Sequence, residues 1–234
     1  MAIFLDSGNI TEVEKFMKRG IIRGVTTNPT ILLKDGVTGG IQAIKELSVE
    51  IANIISPYPL SVEVTTNEKQ GMIDQAREFS QWADNICVKI TIHGPNGELD
   101  NVEAIHELES KHSVRINVTA MMSAQQCLLA ALAGATYVSL FGGRVNNMGY
   151  NACDEIVKLR DALNRFDLKS KIIIGSTREV LNIIEWLNAG AHIVTVVPHL
   201  LKGMLIHPYT KETVQMFLDD AKKAEKALKI QLIQ

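Results

Sequence analysis

The sequence predicts a (β/α)8 TIM barrel, an α/β fold in one domain, followed by an additional C-terminal helix. Two observations indicate this fold class. Short apolar runs typical of strands alternate with amphipathic segments typical of helices, and there are eight of each with short connections. No linker rich in Pro, Gly or Ser divides the 234 residues. We therefore expect a catalytic barrel over residues 1–208 and the extra helix over residues 209–234. A doubly wound open sheet is the alternative topology.

The strands are predicted from apolar runs of three to six residues, which suit buried strands of a parallel sheet. In chain order these runs are AIFL (2–5), GVT (24–26), LSVEV (60–64), ICVKIT (86–91), VRINV (114–118), YVSLF (137–141), KIIIG (171–175) and HIVTV (192–196).

The helices are predicted from apolar residues spaced three and four apart. Ser123 followed by Gln126 forms a capping box, and Gly20, Gly134 and Gly190 each follow a periodic run, where a left-handed residue can end a helix. The expected helices are 10–19, 40–55, 68–82, 101–111, 123–133, 151–165, 177–189 and 198–206.

A final helix, over about residues 211–229, lies outside this count of eight. Val214, Phe217, Ala221, Ala224 and Leu228 recur on it at helical spacing. This apolar face predicts that the helix packs either on the barrel or on a neighbouring subunit.

Composition excludes several classes of function. Lys and Arg number 24 against 26 Asp and Glu, so no general attraction to nucleic acid or to an anionic membrane is expected. Cys87, Cys127 and Cys153 lack the spacing of a metal site, and no nucleotide-binding glycine motif is present. The N-terminus has no apolar leader segment. We expect a cytoplasmic protein without a metal or a cofactor.

The barrel hypothesis assigns each strand residue a direction, because successive side chains point alternately into the barrel and out toward the helices. If the apolar residues face the helices, several polar or aromatic side chains turn inward near the C-terminal strand ends, where barrel enzymes hold their active sites. The inward set is Glu63, Lys89, Thr91, Asn117, Thr119, Ser139 and Phe141, and Asp6 and Asn28 follow the first two strands.

Lys89 is the residue of this set that suggests a chemistry. Taken singly, a strand lysine is most often a solvated or snorkelling residue, and structural polarity is the alternative reading of the whole set. A lysine in an apolar-walled mouth, however, is more readily a free amine that attacks a carbonyl and forms a Schiff base. Inward carboxylates supply the proton transfers that such a reaction needs.

At these residues the sequence resembles the transaldolases. The segments FLDSGN, GVTTNPT, VKI, INVTAMMS, YVSLFGGRV and GSTRE occur in the order found in that family, from Asp6 to about Pro198. The short chain and the extra helix are similar to the small transaldolase group that also contains the fructose-6-phosphate aldolases.

The resemblance implies a role for each matching residue. Lys89 would form the Schiff base with the ketose, Asp6 would act as the acid and base at the C4 hydroxyl, and Glu63 would move protons through a water also held by Thr119. The implied substrate-binding residues are Thr27, Asn28, Asn117, Ser139, Phe141 and Ser176, with Arg144 and Arg178 holding the phosphate. Guanidinium groups independently suit phosphate oxygens.

Two positions favour transfer over cleavage. In the aldolases of this group a glutamine stands at the position of Glu63, and a water-activating tyrosine stands at that of Phe141. An apolar phenyl ring would leave the Schiff base slow to hydrolyse, so an acceptor aldehyde could arrive first. We therefore expect a transaldolase of the pentose phosphate pathway. It would move a dihydroxyacetone unit from a sedoheptulose 7-phosphate or fructose 6-phosphate type of donor to an erythrose 4-phosphate or glyceraldehyde 3-phosphate type of acceptor.

Three alternatives stay open: an aldolase-like lyase, a transaldolase for another anionic ketose such as a sulfonate, and a catalytically silent barrel that binds sugar phosphates. Thr91 stands where the family usually has proline, and the following IHGPNG loop brings His93 near the mouth. GSTRE also departs from the commoner family pattern. The resemblance further implies a homo-oligomer, a pentamer or decamer, built through the C-terminal helix.

Overall fold

Eight parallel strands close into a barrel in strand order β1 to β8, as the sequence predicts. The computed structural model describes the backbone of residues 1–231 and the side chains of residues 1–225. Each predicted strand is present, with ends shifted by at most three residues. The strands are β1 (Ala2–Asp6), β2 (Val25–Thr26), β3 (Leu60–Glu63), β4 (Ile86–Thr91), β5 (Ile116–Met121), β6 (Tyr137–Leu140), β7 (Lys171–Ile174) and β8 (Ile193–Val196).

The predicted barrel helices are also present, and two further helices were not predicted. These two, α2 and α7, have six residues each, too few to show a helical repeat in the sequence. The helices are α1 (Ile10–Lys18), α2 (Pro29–Lys34), α3 (Gly40–Ile55), α4 (Lys69–Ser80), α5 (Asp100–Lys111), α6 (Ala124–Leu132), α7 (Gly142–Asn147), α8 (Ala152–Arg165), α9 (Val180–Asn188), α10 (Pro198–Leu205) and α11 (Pro208–Gln231).

The described chain forms two compact units, Met1–Pro198 and the residues from His199 onward. The first contains the whole barrel. The second contains α11, the extra helix, which begins at Pro208 rather than at residue 211. The expected domain boundary at residue 208 stays a prediction. In residues 1–231 no helix has both the length and the apolar character needed to cross a bilayer.

An apolar layer closes the N-terminal end of the barrel. Phe4, Cys87, Tyr137, Ile173 and Ile193 form one buried cluster, and each has the strand parity of an inward residue. Burying a side chain of this size stabilises the fold by about 1.5–3 kcal/mol. This layer fills the interior toward the N-terminal strand ends, so the inward polar residues lie toward the C-terminal strand ends.

Candidate active site

The inward polar residues contact one another across the barrel interior. Asn117 on β5 donates from Nδ2 to Ser61 Oγ on β3 at 3.1 Å, although β4 lies between these two strands. Thr26 on β2 and Thr195 on β8 are 2.6 Å apart at their hydroxyl oxygens, although β1 lies between them. Bonds that pass over a strand can form only inside the barrel. The structure therefore places these side chains in its mouth, where strand parity predicts Asn117 to be.

Lys89 lies buried in the mouth and has two polar partners among the described residues. Its Nζ is 3.0 Å from Glu63 Oε2, and it donates to the Thr27 carbonyl oxygen at 2.8 Å. The lysine and glutamate side chains are 6% and 18% exposed. Their strands pair with Glu63 opposite Lys89, so the backbone register brings the two groups together. The surroundings of the amine are more polar than the apolar-walled mouth that the sequence suggested.

Asp6 ends β1 and is held by a hydroxyl group. Thr26 Oγ1 donates to Asp6 Oδ1 at 2.6 Å. Burial raises the pKa of Asp6, and this effect outweighs the opposing Thr26 hydrogen bond and the Lys89 charge; the charges of Glu63 and Asp35 raise the pKa further. A carboxyl group with a raised pKa exchanges protons closer to neutral pH than an ordinary aspartate does.

A second hydrogen-bond chain lies on the other side of Lys89. Ser139 Oγ donates to Asn117 Oδ1 at 2.6 Å, and Asn117 is completely buried. Thr119 is also buried, yet its Oγ1 has no hydrogen-bond partner among the residues that the structure describes. A buried hydroxyl without a partner costs free energy, so Thr119 is a candidate contact for a bound molecule.

Strand β5 leaves the regular ladder directly after Thr119. Its register to β6 shifts between Val118 and Met121, and Ala120 has a φ of 61°, in the left-handed region. A non-glycine residue in this conformation costs about 1–3 kcal/mol, and such strain clusters at functional sites.

Two further predicted residues, Thr27 and Asn28, lie in the segment between β2 and α2, where their side chains hydrogen-bond to backbone groups. Asn28 caps α2, because its side chain accepts a hydrogen bond from Ile31 N at 2.9 Å. Its amide nitrogen has no partner within the described part of the chain. Thr27 donates its hydroxyl to the Ser61 carbonyl oxygen at 3.0 Å while its own carbonyl receives Lys89. Thr27 thus holds the lysine through its backbone.

Both predicted phosphate ligands lie in the segments that follow β6 and β7. Arg144 is on α7, Arg178 is in the loop after β7, and both are exposed. Neither guanidinium pairs with a carboxylate of residues 1–225; that of Arg144 lies 5.4 Å from the centre of the Phe141 ring. A Cβ at Gly143 would clash with the Ser176 carbonyl oxygen, so the glycine allows the two segments to meet.

Ser176 has a φ of 58°, a second left-handed non-glycine residue at the mouth. Its side chain is half-buried.

Two cavities open beside these residues. One of about 240 Å³ is lined by Pro29, Glu63, Val64, Thr65, Thr66, Asn67 and Thr91. A larger one, of about 500 Å³, is mostly apolar and is lined by Met122, Arg144, Val145, Asn147, Met148 and Tyr150. Among the described residues, no three His, Cys, Asp or Glu side chains are grouped as a metal site would require.

Residues 3–234 match the protein family described as Transaldolase/Fructose-6-phosphate aldolase. The chain belongs to this family. A probable transaldolase of Carboxydothermus hydrogenoformans is 39% identical over 220 residues, which cover 94% of this chain and 97% of that protein. Probable transaldolases of Thermoplasma acidophilum and Bartonella henselae are 39% and 34% identical over 223 residues, 95% of this chain and 96% and 97% of theirs. The predicted resemblance is therefore confirmed.

Solved structures of other proteins share the barrel. A thiamine phosphate pyrophosphorylase from Pyrococcus furiosus has a TM-score of 0.59 at 11% identity, covering 84% of this chain and 85% of that chain. A mandelate oxidase has a TM-score of 0.53 at 11% identity, covering 85% and 65%. At such low identity the likeness concerns the fold alone.

Thr91, which was expected to depart from the family pattern, makes defined side-chain hydrogen bonds. Its Oγ1 donates to the His93 carbonyl oxygen at 3.1 Å and accepts from Asn101 Nδ2 at 3.0 Å. Asn101 is fully buried and also donates to Asn67 Oδ1 at 3.2 Å. Thr91 therefore fixes the loop after β4, while the exposed His93 bonds through its ring to the neighbouring Gly94 carbonyl.

Three polar residues of the mouth were not predicted: Thr26, Ser61 and Thr195. Each lies at an inward strand position, and each hydrogen-bonds to a predicted residue or to another of the three. The signal was present in the sequence. Thr195 stands between Val194 and Val196, which face outward by the same alternation that placed Lys89 inside.

Proposed function

We propose that this chain is a transaldolase that carries a dihydroxyacetone unit on Lys89 as a Schiff base. The observation that supports this proposal most directly is the buried contact of 3.0 Å between Lys89 Nζ and Glu63 Oε2, beside Asp6, at the C-terminal mouth of the barrel. A lysine next to a proton acceptor, with a second carboxylate near, has the groups that class I aldol chemistry requires.

In the first step Lys89 becomes a free amine by passing a proton to Glu63, which lies within hydrogen-bond distance. The amine attacks the C2 carbonyl carbon of the ketose and a C–N bond forms. The former carbonyl oxygen takes up the protons that Glu63 exchanges and leaves as water, so a protonated Schiff base remains. The unpartnered Thr119 hydroxyl can hold that water during the exchange.

In the second step Asp6 removes the proton of the C4 hydroxyl. The C3–C4 bond breaks, the aldose leaves as an aldehyde, and the electron pair of the broken bond is delocalised onto the iminium as an enamine. Transfer is the reverse: C3 of the enamine attacks the acceptor aldehyde, and Asp6 returns its proton to the new hydroxyl. The raised pKa of Asp6 suits both directions near neutral pH.

The ligand's anionic end would bind to Arg144 and Arg178. Both guanidinium groups are exposed and are not neutralised by a carboxylate of the described residues, so they offer charge-assisted bonds to phosphate oxygens. Asn117 and Ser139 would hold the hydroxyl groups near the carbonyl. We place the donors and acceptors among the sugar phosphates of the pentose phosphate pathway, in the cytoplasm.

The proposal that the enzyme transfers the unit, rather than only cleaving the donor, rests on Phe141. Its ring is half-buried at the start of α7 and has no hydroxyl with which to activate water. Glu63 likewise supplies the carboxylate found in the transaldolase pattern. A lyase would release product without an acceptor aldehyde, so an assay that omits the acceptor distinguishes a lyase from a transaldolase.

The proposal is tested by trapping the Schiff base. Wild-type protein is incubated with fructose 6-phosphate and borohydride, and its intact mass is measured and mapped by peptide digestion. We expect a three-carbon adduct on Lys89 that is absent from Lys89→Met. Lys171→Met removes an exposed lysine at the start of β7 and should retain the adduct. Folded wild-type protein that gains no adduct from phosphorylated or sulfonated ketoses would overturn the proposal in favour of a silent barrel.

We also propose a homo-oligomer of pentamer or decamer type. Helix α11 carries Val214, Phe217 and Leu218 at a spacing of three and four residues, and these side chains are 50%, 62% and 53% exposed. Exposed apolar side chains on one helix face are typical of a contact surface. Light scattering of the full chain and of Phe217→Asp tests this, because a charge in the contact should dissociate the assembly.

A further inference from the structure

We propose that Thr195 is a positioning residue for Asp6 and acts through the hydroxyl group of Thr26. The inference rests on the proposed function and goes beyond it, because neither threonine belongs to the predicted site. The three side chains form one chain of oxygens inside the barrel: Asp6 Oδ1, Thr26 Oγ1 and Thr195 Oγ1, with both separations 2.6 Å.

Counting protons fixes the direction of the hydrogen bonds. The Thr26 hydroxyl has one proton and lies between two oxygens. When Asp6 is ionised it can only accept, so Thr26 donates to Asp6 and Thr195 must donate to Thr26. The distances of 2.6 Å are short for hydroxyl hydrogen bonds, and a bond to a charged oxygen is stronger than one between neutral groups. Thr195 therefore orients the donor that holds the Asp6 carboxylate.

The hydroxyl chain favours the ionised state of Asp6. Thr26 Oγ1 donates to Asp6 Oδ1, and a hydrogen bond to a charged oxygen is stronger than one to a neutral carboxyl group. The proton that Asp6 takes from the C4 hydroxyl stays on the carboxyl group until it returns to the new hydroxyl, so no proton passes into the threonine pair. Without the Thr195 hydroxyl, Thr26 would lose the partner that orients it and would hold the ionised carboxylate less well.

Burial and a backbone hydrogen bond fix Thr195 in the position from which it orients the Thr26 hydroxyl. It is 6% exposed, and Thr26 is 3% exposed. The Thr195 carbonyl oxygen accepts a hydrogen bond from Thr177 Oγ1 at 2.7 Å, which ties β8 to the segment after β7. In the described residues, Thr26 is the partner of the Thr195 hydroxyl.

The charged groups that act on Asp6 are Lys89, Glu63 and Asp35, and no substitution at Thr195 changes them. A change in the pH profile would therefore come from the hydroxyl chain.

The test compares Thr195→Val, which removes the hydroxyl at nearly constant volume, with Thr195→Ser, which keeps it. Thr136→Val is the matched control, because its hydroxyl bonds to Glu109 far from the mouth, at the start of β6. Four quantities are measured for each protein: melting temperature, borohydride adduct with fructose 6-phosphate, kcat for transfer, and the pH dependence of kcat.

We expect Thr195→Val to fold and to form the Lys89 adduct while its kcat falls roughly tenfold, less than the roughly 10²–10⁴-fold that a general acid–base catalyst contributes as a whole, because Asp6 itself is retained. The acid limb of its kcat profile should move to higher pH, since an ionised Asp6 has lost an oriented donor. Thr195→Ser should restore both, and Thr136→Val should resemble wild type. A Thr195→Val profile and kcat within twofold of wild type, or a serine variant as slow as the valine variant, would overturn the inference. Absence of an adduct in wild type would instead remove the proposed function.

Discussion

The ion pair of Lys89 and Glu63 should destabilise the fold when either charge is removed alone, and much less when both are removed. The perturbations are Lys89→Met, Glu63→Gln and the double variant. At 3.0 Å and an effective dielectric constant of about 20, the gross attraction is about 5.5 kcal/mol. The cost of removing two charges from water is several kcal/mol per ion, so the pair itself contributes little net stability.

Removal of one partner leaves the other charge in the mouth without compensation. For fully buried pairs this costs about 3–5 kcal/mol. Glu63 keeps 18% exposure and Lys89 keeps its bond to the Thr27 carbonyl, so each single variant should lose about 2–3 kcal/mol. The double variant has neither charge of this pair left to bury and should lie within about 1 kcal/mol of wild type.

The assay is urea unfolding at neutral pH, followed by circular dichroism, with the slope m checked for constancy. In a domain of this size the single losses correspond to a decrease of roughly 4–12 °C in melting temperature. Lys69→Met is the control: its partner Glu103 is 68% exposed, and such a surface pair contributes at most about 1 kcal/mol. A double variant as unstable as the sum of the two single variants would refute the reasoning, because the charges would then act independently.

The other predictions concern the chemistry and the close approach of two loops. Asp6→Asn should slow cleavage by about 10²-fold or more, so borohydride should trap a six-carbon instead of a three-carbon adduct. Burial raises the pKa of Asp6, so the folded state binds the carboxyl proton more tightly than the unfolded chain does. The ionised carboxyl therefore lowers the free energy of unfolding as pH rises above the unfolded pKa of about 3.9. Asp6→Asn should be more stable than wild type at pH 8 but not at pH 3, as measured by urea titration. Phe141→Tyr should release dihydroxyacetone without an acceptor roughly tenfold faster, measured by a coupled reductase, and an unchanged rate would contradict the role given to the phenyl ring. Arg144→Met should raise KM for a phosphorylated donor by about 10-fold or more and leave the unphosphorylated ketose unaffected; equal effects on both would exclude a phosphate contact. Gly143→Ala should cost about 1–3 kcal/mol through its backbone clash, whereas Gly175→Ala, whose nearest atom would be 3.6 Å away, should be tolerated in the same unfolding assay.

The fold could be predicted because apolar alternation and turn residues are local properties. Strand parity also placed Lys89, Glu63 and Asn117 inside the barrel, since one direction follows once the apolar neighbours are assigned to the helices. The bulge at Ala120 could not be predicted, because alanine carries no preference for a left-handed backbone and only the tertiary fit to β6 maintains it. Nor could the polar partners of Lys89, which depend on the register between β3 and β4 and on the carbonyl of Thr27.

The contact that Thr195 makes could not be predicted from a local sequence pattern. The parity of Thr195 could be predicted, but its significance arises from closure: β8 pairs with β1, and only a closed barrel brings a residue 169 positions away in the chain to the hydroxyl of Thr26. In an open sheet β8 would lie at the far edge and Asp6 would be left with one unoriented donor. Closure therefore does more than cover the strand edges in this protein. It supplies the last member of the hydrogen-bond chain on Asp6, which ends β1, the strand between the two threonines.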